Sequence, residues 1–276
     1  MSQSTLISRL NELPRIESVL QELLDMVNQE EVNFVALANK ISMDQVLSAR
    51  LLRMANSAYF GGVRQVSSAH DAISRVGIGP VRALVVVSVL TSTFPNVKTL
   101  NLDEYWANTF EVSVLSSKLA GISGLDPNAV FTIGILHNIG ELMIHTLVPN
   151  EVAKIEQLIE QGVDPIAAQE QVLDISAPSL GALLARSWQF PEEMVDAIEH
   201  FNEPREAELS PQIAVILHFA RTINTHWDEL PSTQQKSLYL AQHPDARLLN
   251  VPPSFVDTIE QFKGHGRDLA AHMMAA

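Results

Sequence analysis

The sequence contains no cysteine, which excludes a disulfide, a thiolate zinc site and a cysteine-ligated iron–sulfur cluster, and leaves no sign of an oxidising compartment. Positive charge is scarce: 18 Lys and Arg stand against 32 Asp and Glu, a formal net charge of −14. Duplex nucleic acid and anionic membrane surfaces repel such a chain unless it carries a strong basic patch, and the sequence has none. Nucleic acid and membrane are therefore not expected partners, whereas a protein with a basic face is. Residues 1–10 are polar and lack the apolar core of a signal peptide, so a cytoplasmic location is expected. Internal repeats, low-complexity tracts and glycine-rich phosphate loops are also missing, and no serine sits in a Gly-x-Ser-x-Gly elbow.

What is present is apolar residue at helical spacing. At 276 residues and 46% hydrophobic composition, the chain has ample material for a core. After Leu13-Pro14, the positions Ile16, Val19, Leu20, Leu23, Leu24 and Val27 share one helix face. A second helix follows through Phe34, Leu37, Ala38 and Ile41. A third runs from Asp44 through Leu47, Leu51 and Met54 into Asn56-Ser57-Ala58-Tyr59-Phe60-Gly61-Gly62, where paired glycines are expected to end it. Ser67 or Ser68 caps the next helix and Gly77 closes it. Residues 81–90 are valine-rich, but they lack strand alternation and lie between helices, so they are read as a buried helix between Gly79-Pro80 and Phe94-Pro95. Later starts are expected at Asp103, Asp126-Pro127, Asp164-Pro165, Ser176-Ala177-Pro178, Pro191 and Ser210-Pro211, with further helices at 234–241 and 255–262. Trp106 and Trp188, among apolar neighbours, read as core. The expected architecture is all-α. It divides at the short polar linker 95–102 into two helical subdomains, 1–95 and 96–205, with a helical extension, 206–276, packed on the second.

The chain is organised around residues 131–145, where apolar residues point in every helical direction and two polar side chains, His137 and Asn138, sit near the middle. Such a helix belongs in a core. It is also expected to be too short and interrupted to span a membrane. His137 is then a buried histidine, either satisfied by a hydrogen bond or ligating a metal, and the residue types favour the first. Arg50, Arg53 and Asn56 either present an anion or partner surface, or form a solvated face with an asparagine tying down the next turn.

The His137 segment resembles the His-Asp pair of the HD superfamily of metal-dependent phosphohydrolases, with Asn138 in place of the aspartate and Glu141 in place of a lysine. Leu13-Pro14, Ser42-Met43-Asp44, the run from Ala49-Arg50-Leu51-Leu52-Arg53 to Asn56-Ser57-Ala58, Ala72-Ile73 and Val76-Gly77 resemble the first half of an HDOD domain, a non-catalytic relative of those enzymes found in bacterial signalling proteins. Gly181, Trp188, Pro191 and Glu199-His200 extend the resemblance over roughly residues 10–205. It makes the second subdomain HD-like.

The resemblance implies a degenerate metal site. Asn108 stands near Trp106 where a histidine is often seen, Asn138 replaces the aspartate, Ala177 replaces a histidine, and Phe201 follows His200 where a second histidine is usual. His137 and His200 remain as vestigial ligands, too few for a catalytic divalent ion without a matching carboxylate. The resemblance thus implies an interaction module without cofactor, in the company of cyclic-dinucleotide enzymes, two-component regulators or histidine kinases. Two rivals stand beside it. One is a phosphohydrolase holding iron, manganese or zinc with a site rebuilt from His137, Glu141, His145 and His200. The other is a sensor that binds a nucleotide in the cleft without turnover.

Overall fold

A computed structural model describes residues 17–274 apart from 30, 58, 62–63 and 95–96. Leu13-Pro14, Ile16, Ala58, Gly62 and Pro95, which figure in the expectations above, lie outside the described residues. All regular structure among the described residues is helical. The first helices are α1 (Ser18–Val27), α2 (Phe34–Ser42), α3 (Gln45–Ala55), α4 (Ala69–Val76) and α5 (Ile78–Thr93). Side chains of Asn33, Asp44 and Ser68 accept backbone N–H groups at the starts of α2, α3 and α4, satisfying donors the helix itself cannot. The valine-rich α5 is buried on nearly every side, and Arg82, its one charged residue, donates from Nε and Nη2 to the Val27 carbonyl that ends α1, at 2.9 and 2.6 Å. The third helix stops at Ala55, short of the glycines expected to end it. Asn56 turns the chain there by bonding Val66 through both N–H and C=O at 2.9 Å.

The middle of the chain forms α6 (Leu102–Ile122), α7 (Pro127–Leu136), α8 (Ile139–Leu147), α9 (Pro149–Glu160), α10 (Pro165–Leu173), α11 (Ala177–Ser187) and α12 (Glu192–His200). Asn101, Asp126, Asp164 and Ser176 cap four of them. The expectation of one continuous helix over 131–145 is corrected: the helix breaks at His137-Asn138. Counted across the break, Pro127–Leu147 is long and apolar enough to cross a membrane, contrary to the expectation that it is too short. Most of it is buried inside the fold, with α6 and α5 packed on α7 and α11 on α8.

The C-terminal residues form α13 (Pro211–His226), α14 (Thr233–Gln242), α15 (Pro244–Leu248), α16 (Phe255–Phe262) and α17 (His265–Met274). The sequence reading does not anticipate α15 or α17. One apolar core runs from Leu20 to Met273, and a second joins Val112, Leu115 and Leu119 of α6 to Ile216, Phe219 and Trp227. Helix α13 lies on α6 and α12, while α17 packs on α6 and also reaches α3 in the first 95 residues. Trp106 is buried, and Trp188 is half-buried against the main core.

Candidate functional site

The break between α7 and α8 creates the site. In a continuous helix the Gly134 carbonyl would accept the N–H of Asn138. His137 takes that carbonyl instead, donating from Nδ1 at 2.5 Å. The imidazole is therefore in the Nδ1–H tautomer, with the Nε2 lone pair left over. His137 is only 3% exposed, and burial, followed by the nearby charge of Arg221, pushes its pKa down to about 3 against the opposing bond to Gly134.

Asn138 is held by two side chains from α6. The Tyr105 hydroxyl donates to Asn138 Oδ1 at 3.0 Å, and Asn138 Nδ2 donates to Thr109 Oγ1 at 2.8 Å. The Thr109 hydroxyl donates to the Tyr105 carbonyl at 2.7 Å. Burial, and then the charge of Glu141, hold the Tyr105 phenol well above its ordinary pKa, so it stays a donor. The amide oxygen that occupies the aspartate's place is thus an acceptor within a closed side-chain network.

One turn on, Glu141 Oε1 accepts from Gln169 Nε2 at 2.8 Å, and Gln169 Oε1 accepts from the N–H of Ala177 at 2.8 Å. The buried Gln169 thereby joins α8 to the start of α11. That joint requires Gly140, because a Cβ there would lie 1.8 Å from the Ala177 carbonyl oxygen. His145 shares a hydrogen bond of 2.8 Å between Nδ1 and Thr99 Oγ1. Its pKa is lowered by burial, with Glu141 and Glu156 acting the other way.

His200, at the end of α12, donates from Nδ1 to the Asp196 carbonyl and Oδ1 at 3.0 and 3.1 Å. Burial acts to raise the Asp196 carboxyl, but N–H groups of Ser210, Leu209 and Glu208 and the Ser210 hydroxyl outweigh it and hold the group below its usual range.

These residues line one cleft made of two cavities of about 480 and 620 Å³. The smaller holds Asn108, Glu141 and His145, and the larger Ala177, Glu141 and His200; His137, Asn138, Glu141 and Arg221 form the shared wall. Asn108 is exposed, and its Oδ1 accepts from Asn224 of α13 at 3.4 Å. Arg50 and Arg53 lie on α3, away from this cleft, and are half-buried, so neither sits on a fully solvated face. Arg50 Nη1 donates to Ser88 of α5 at 3.4 Å.

Sequence reasoning overlooks Arg221. Its guanidinium carbon sits 4.7 Å from the centre of the Phe201 ring, and Nη1 donates to Asn202 Oδ1 at 3.1 Å. Burial lowers its pKa and Glu141 raises it. A signal for it does exist: on a largely apolar helix, His218, Arg221, Asn224 and Thr225 recur at three- and four-residue spacing, a polar stripe along one face.

The residues present do not fit a divalent metal. His137 and His200 each keep Nδ1 on a backbone acceptor, which leaves Nε2 for a ligand. The anionic oxygen that should accompany them is the neutral, engaged amide of Asn138, and among the described residues no group of three or more His, Asp or Glu is placed to hold a metal ion.

The HDOD domain model matches residues 13–204. A solved structure of a provisionally named phosphohydrolase from Shewanella amazonensis SB2B is 34% identical, covers 98% of each chain and superposes with a TM-score of 0.87. An HDOD domain protein of unknown function from Geobacter sulfurreducens is 21% identical over 98% of this chain and 97% of its own, with a TM-score of 0.79. A provisionally named signal transduction protein from Marinobacter aquaeolei VT8, 21% identical, covers 99% of this chain and 61% of its own, with a TM-score of 0.76. A curated relative, an uncharacterized protein of Treponema pallidum (strain Nichols), is 26% identical over 238 residues, 84% of this chain; the chain spans 46% of that protein's length. The fold and the match over residues 13–204 agree, and the chain belongs to the HDOD domain family.

Proposed function

We propose that this protein is a non-catalytic interaction module of bacterial signal transduction, working in the cytoplasm and docking in trans on a signalling partner such as a cyclic-dinucleotide enzyme or a two-component regulator. The observation that carries this reading is the state of Asn138. Its amide is bound on both sides by Tyr105 and Thr109, so the centre of the cleft is held by side-chain hydrogen bonds in the place where an enzyme of the superfamily would need a free carboxylate. The larger cavity is rimmed by Asp164, Glu170, Glu199, Glu203 and Glu206. With a net charge of −14, that rim favours a partner with a basic face. The name of the Marinobacter aquaeolei relative points to signalling.

The rival reading is a metal-dependent phosphohydrolase that uses His137, Glu141, His145 and His200. It draws on the unused Nε2 atoms of His137 and His200 and on the name of the Shewanella amazonensis structure. Elemental analysis of protein purified without chelator or affinity metal separates the two, alongside His137→Ala and assays for phosphodiester and phosphomonoester hydrolysis. The expected result is wild-type protein without stoichiometric iron, manganese or zinc and without turnover. Near-stoichiometric metal that disappears in His137→Ala would overturn the interaction reading.

A further inference from the structure

Where the family resemblance implies a second histidine after His200, Phe201 stands, and its ring contacts two of the cleft's groups. One side meets the His137 imidazole at 5.4 Å between ring centres, nearly edge-on, and the guanidinium of Arg221 sits 4.7 Å from the ring centre. A cation is attracted to the face of an aromatic ring, so the phenylalanine that removes a ligand also seats a positive charge. Asn202, the next residue, accepts from the guanidinium Nη1 through Oδ1. Arg221 forms part of the wall in both cavities, beside His137, Asn138 and Glu141. Among the described residues the guanidinium has no ion-pair partner within 4 Å, and Asn202 is its one hydrogen-bond partner.

Arg221 comes from α13, outside the 13–204 family match. The C-terminal extension therefore contributes directly to the cleft. A divalent ion bound by His137 and His200 would face a fixed guanidinium across the same cavity, in surroundings where burial weakens screening.

We infer that Arg221 is the resident cation of the cleft: seated on Phe201 and Asn202, it supplies the positive charge that a metal would bring and keeps a divalent ion from the His137 and His200 imidazoles. The loss of the ligand carboxylate at Asn138 and the gain of this arginine are then one change. Restoring the carboxylate by itself does not restore metal binding. This inference rests on the reading of the cleft as a site without metal, which the wild-type metal content tests separately.

The test is Mn²⁺ binding to the metal-stripped full chain at neutral pH, followed by titration calorimetry and equilibrium dialysis. The proteins are wild type, Asn138→Asp, Asn138→Asp with Arg221→Gln, and Asn138→Asp with Arg221→Lys. Adding Arg221→Gln to Asn138→Asp, which removes the positive charge, should tighten Mn²⁺ binding at least tenfold, with one ion per chain. The lysine version, which retains the charge, should stay with Asn138→Asp alone. Circular dichroism melts establish that each variant is folded; if the glutamine version is not, Arg221→Met, whose apolar stem still covers Phe201, takes its place. Asn138→Asp binding Mn²⁺ as tightly as the double variant would overturn the assignment, as would equal binding by the glutamine and lysine versions. Wild-type protein that already holds one metal per chain would instead overturn the reading beneath it.

Discussion

Acid should unfold this protein partly through His137. The ring is buried as the neutral tautomer with a folded-state pKa of about 3, whereas an exposed histidine titrates near 6.5. Between those values the unfolded chain binds a proton that the folded chain does not, so stability falls as pH falls. The contribution is complete above about pH 6.5 and is lost progressively as pH drops toward 3. A tenfold change in proton affinity corresponds to about 1.4 kcal/mol, so the full effect is about 5 kcal/mol, of which about 3 kcal/mol is gone at pH 4.5. Urea denaturation at pH 7.5, 5.5 and 4.5 measures it, comparing wild type with His137→Gln, which has no ionising group there. Other histidines and carboxylates act on both proteins, so the difference between the two curves isolates His137. The wild-type advantage should shrink by about 3 kcal/mol between pH 7.5 and 4.5. Parallel pH dependences would refute the reasoning, because they would mean that His137 accepts its proton as readily folded as unfolded.

Three further substitutions probe the framework around the cleft. Gly140→Ala drives a methyl into the Ala177 carbonyl, and the forced separation of α8 and α11 should cost at least about 3 kcal/mol in thermal or urea unfolding. Gln169→Leu strips partners from the Ala177 N–H and the Glu141 carboxylate, and should lower stability by about 2–4 kcal/mol in the same assay, with little change in helical circular dichroism at 20 °C. Glu111, buried on α6, accepts N–H groups of Gly264 and Gly266 at 2.8 and 3.0 Å. Glu111→Ala should cost about 1–3 kcal/mol and selectively speed amide exchange in α17 over that in α7.

Much of the fold is written in local chemistry. Asp126-Pro127, Asp164-Pro165, Ser176-Ala177-Pro178 and Ser210-Pro211 each begin a helix where the sequence places one, because caps and first-turn prolines act within a few residues. The valine-rich α5 is legible only through its neighbours, since valine's preference for strands is overridden by burial on nearly every side. The break at His137 is not legible, because 131–145 has no helix-breaking proline and the interruption depends on a ring nitrogen competing for one backbone carbonyl. His137, Asn138, Glu141, His145, Ala177 and His200 do line one cleft, but the partners of Asn138 come from 29 and 33 residues earlier. Arg221 escapes because an apolar helix invites attention to its buried positions, whereas its meaning comes from Phe201, in the turn that follows α12. Helix α17 escapes too, for it is short and polar in composition, and only Gly266, Leu269, Ala270 and Met273 are buried.

The position of α17 also bears on how the chain is made. Helix α3 is synthesised early, yet one of its packing partners is the last helix described, roughly two hundred residues later. Contacts of such separation carry a large loop-closure cost and form late. During translation, the apolar faces of α3 and α6 that await Leu269, Ala270 and Met273 stay uncovered until that segment emerges from the ribosome. The growing chain therefore passes through a stage in which most helices can exist while the core is still open, the kind of species that aggregates or recruits chaperones. Closure of the core is timed by the ribosome's delivery of α17, and α3 waits for it.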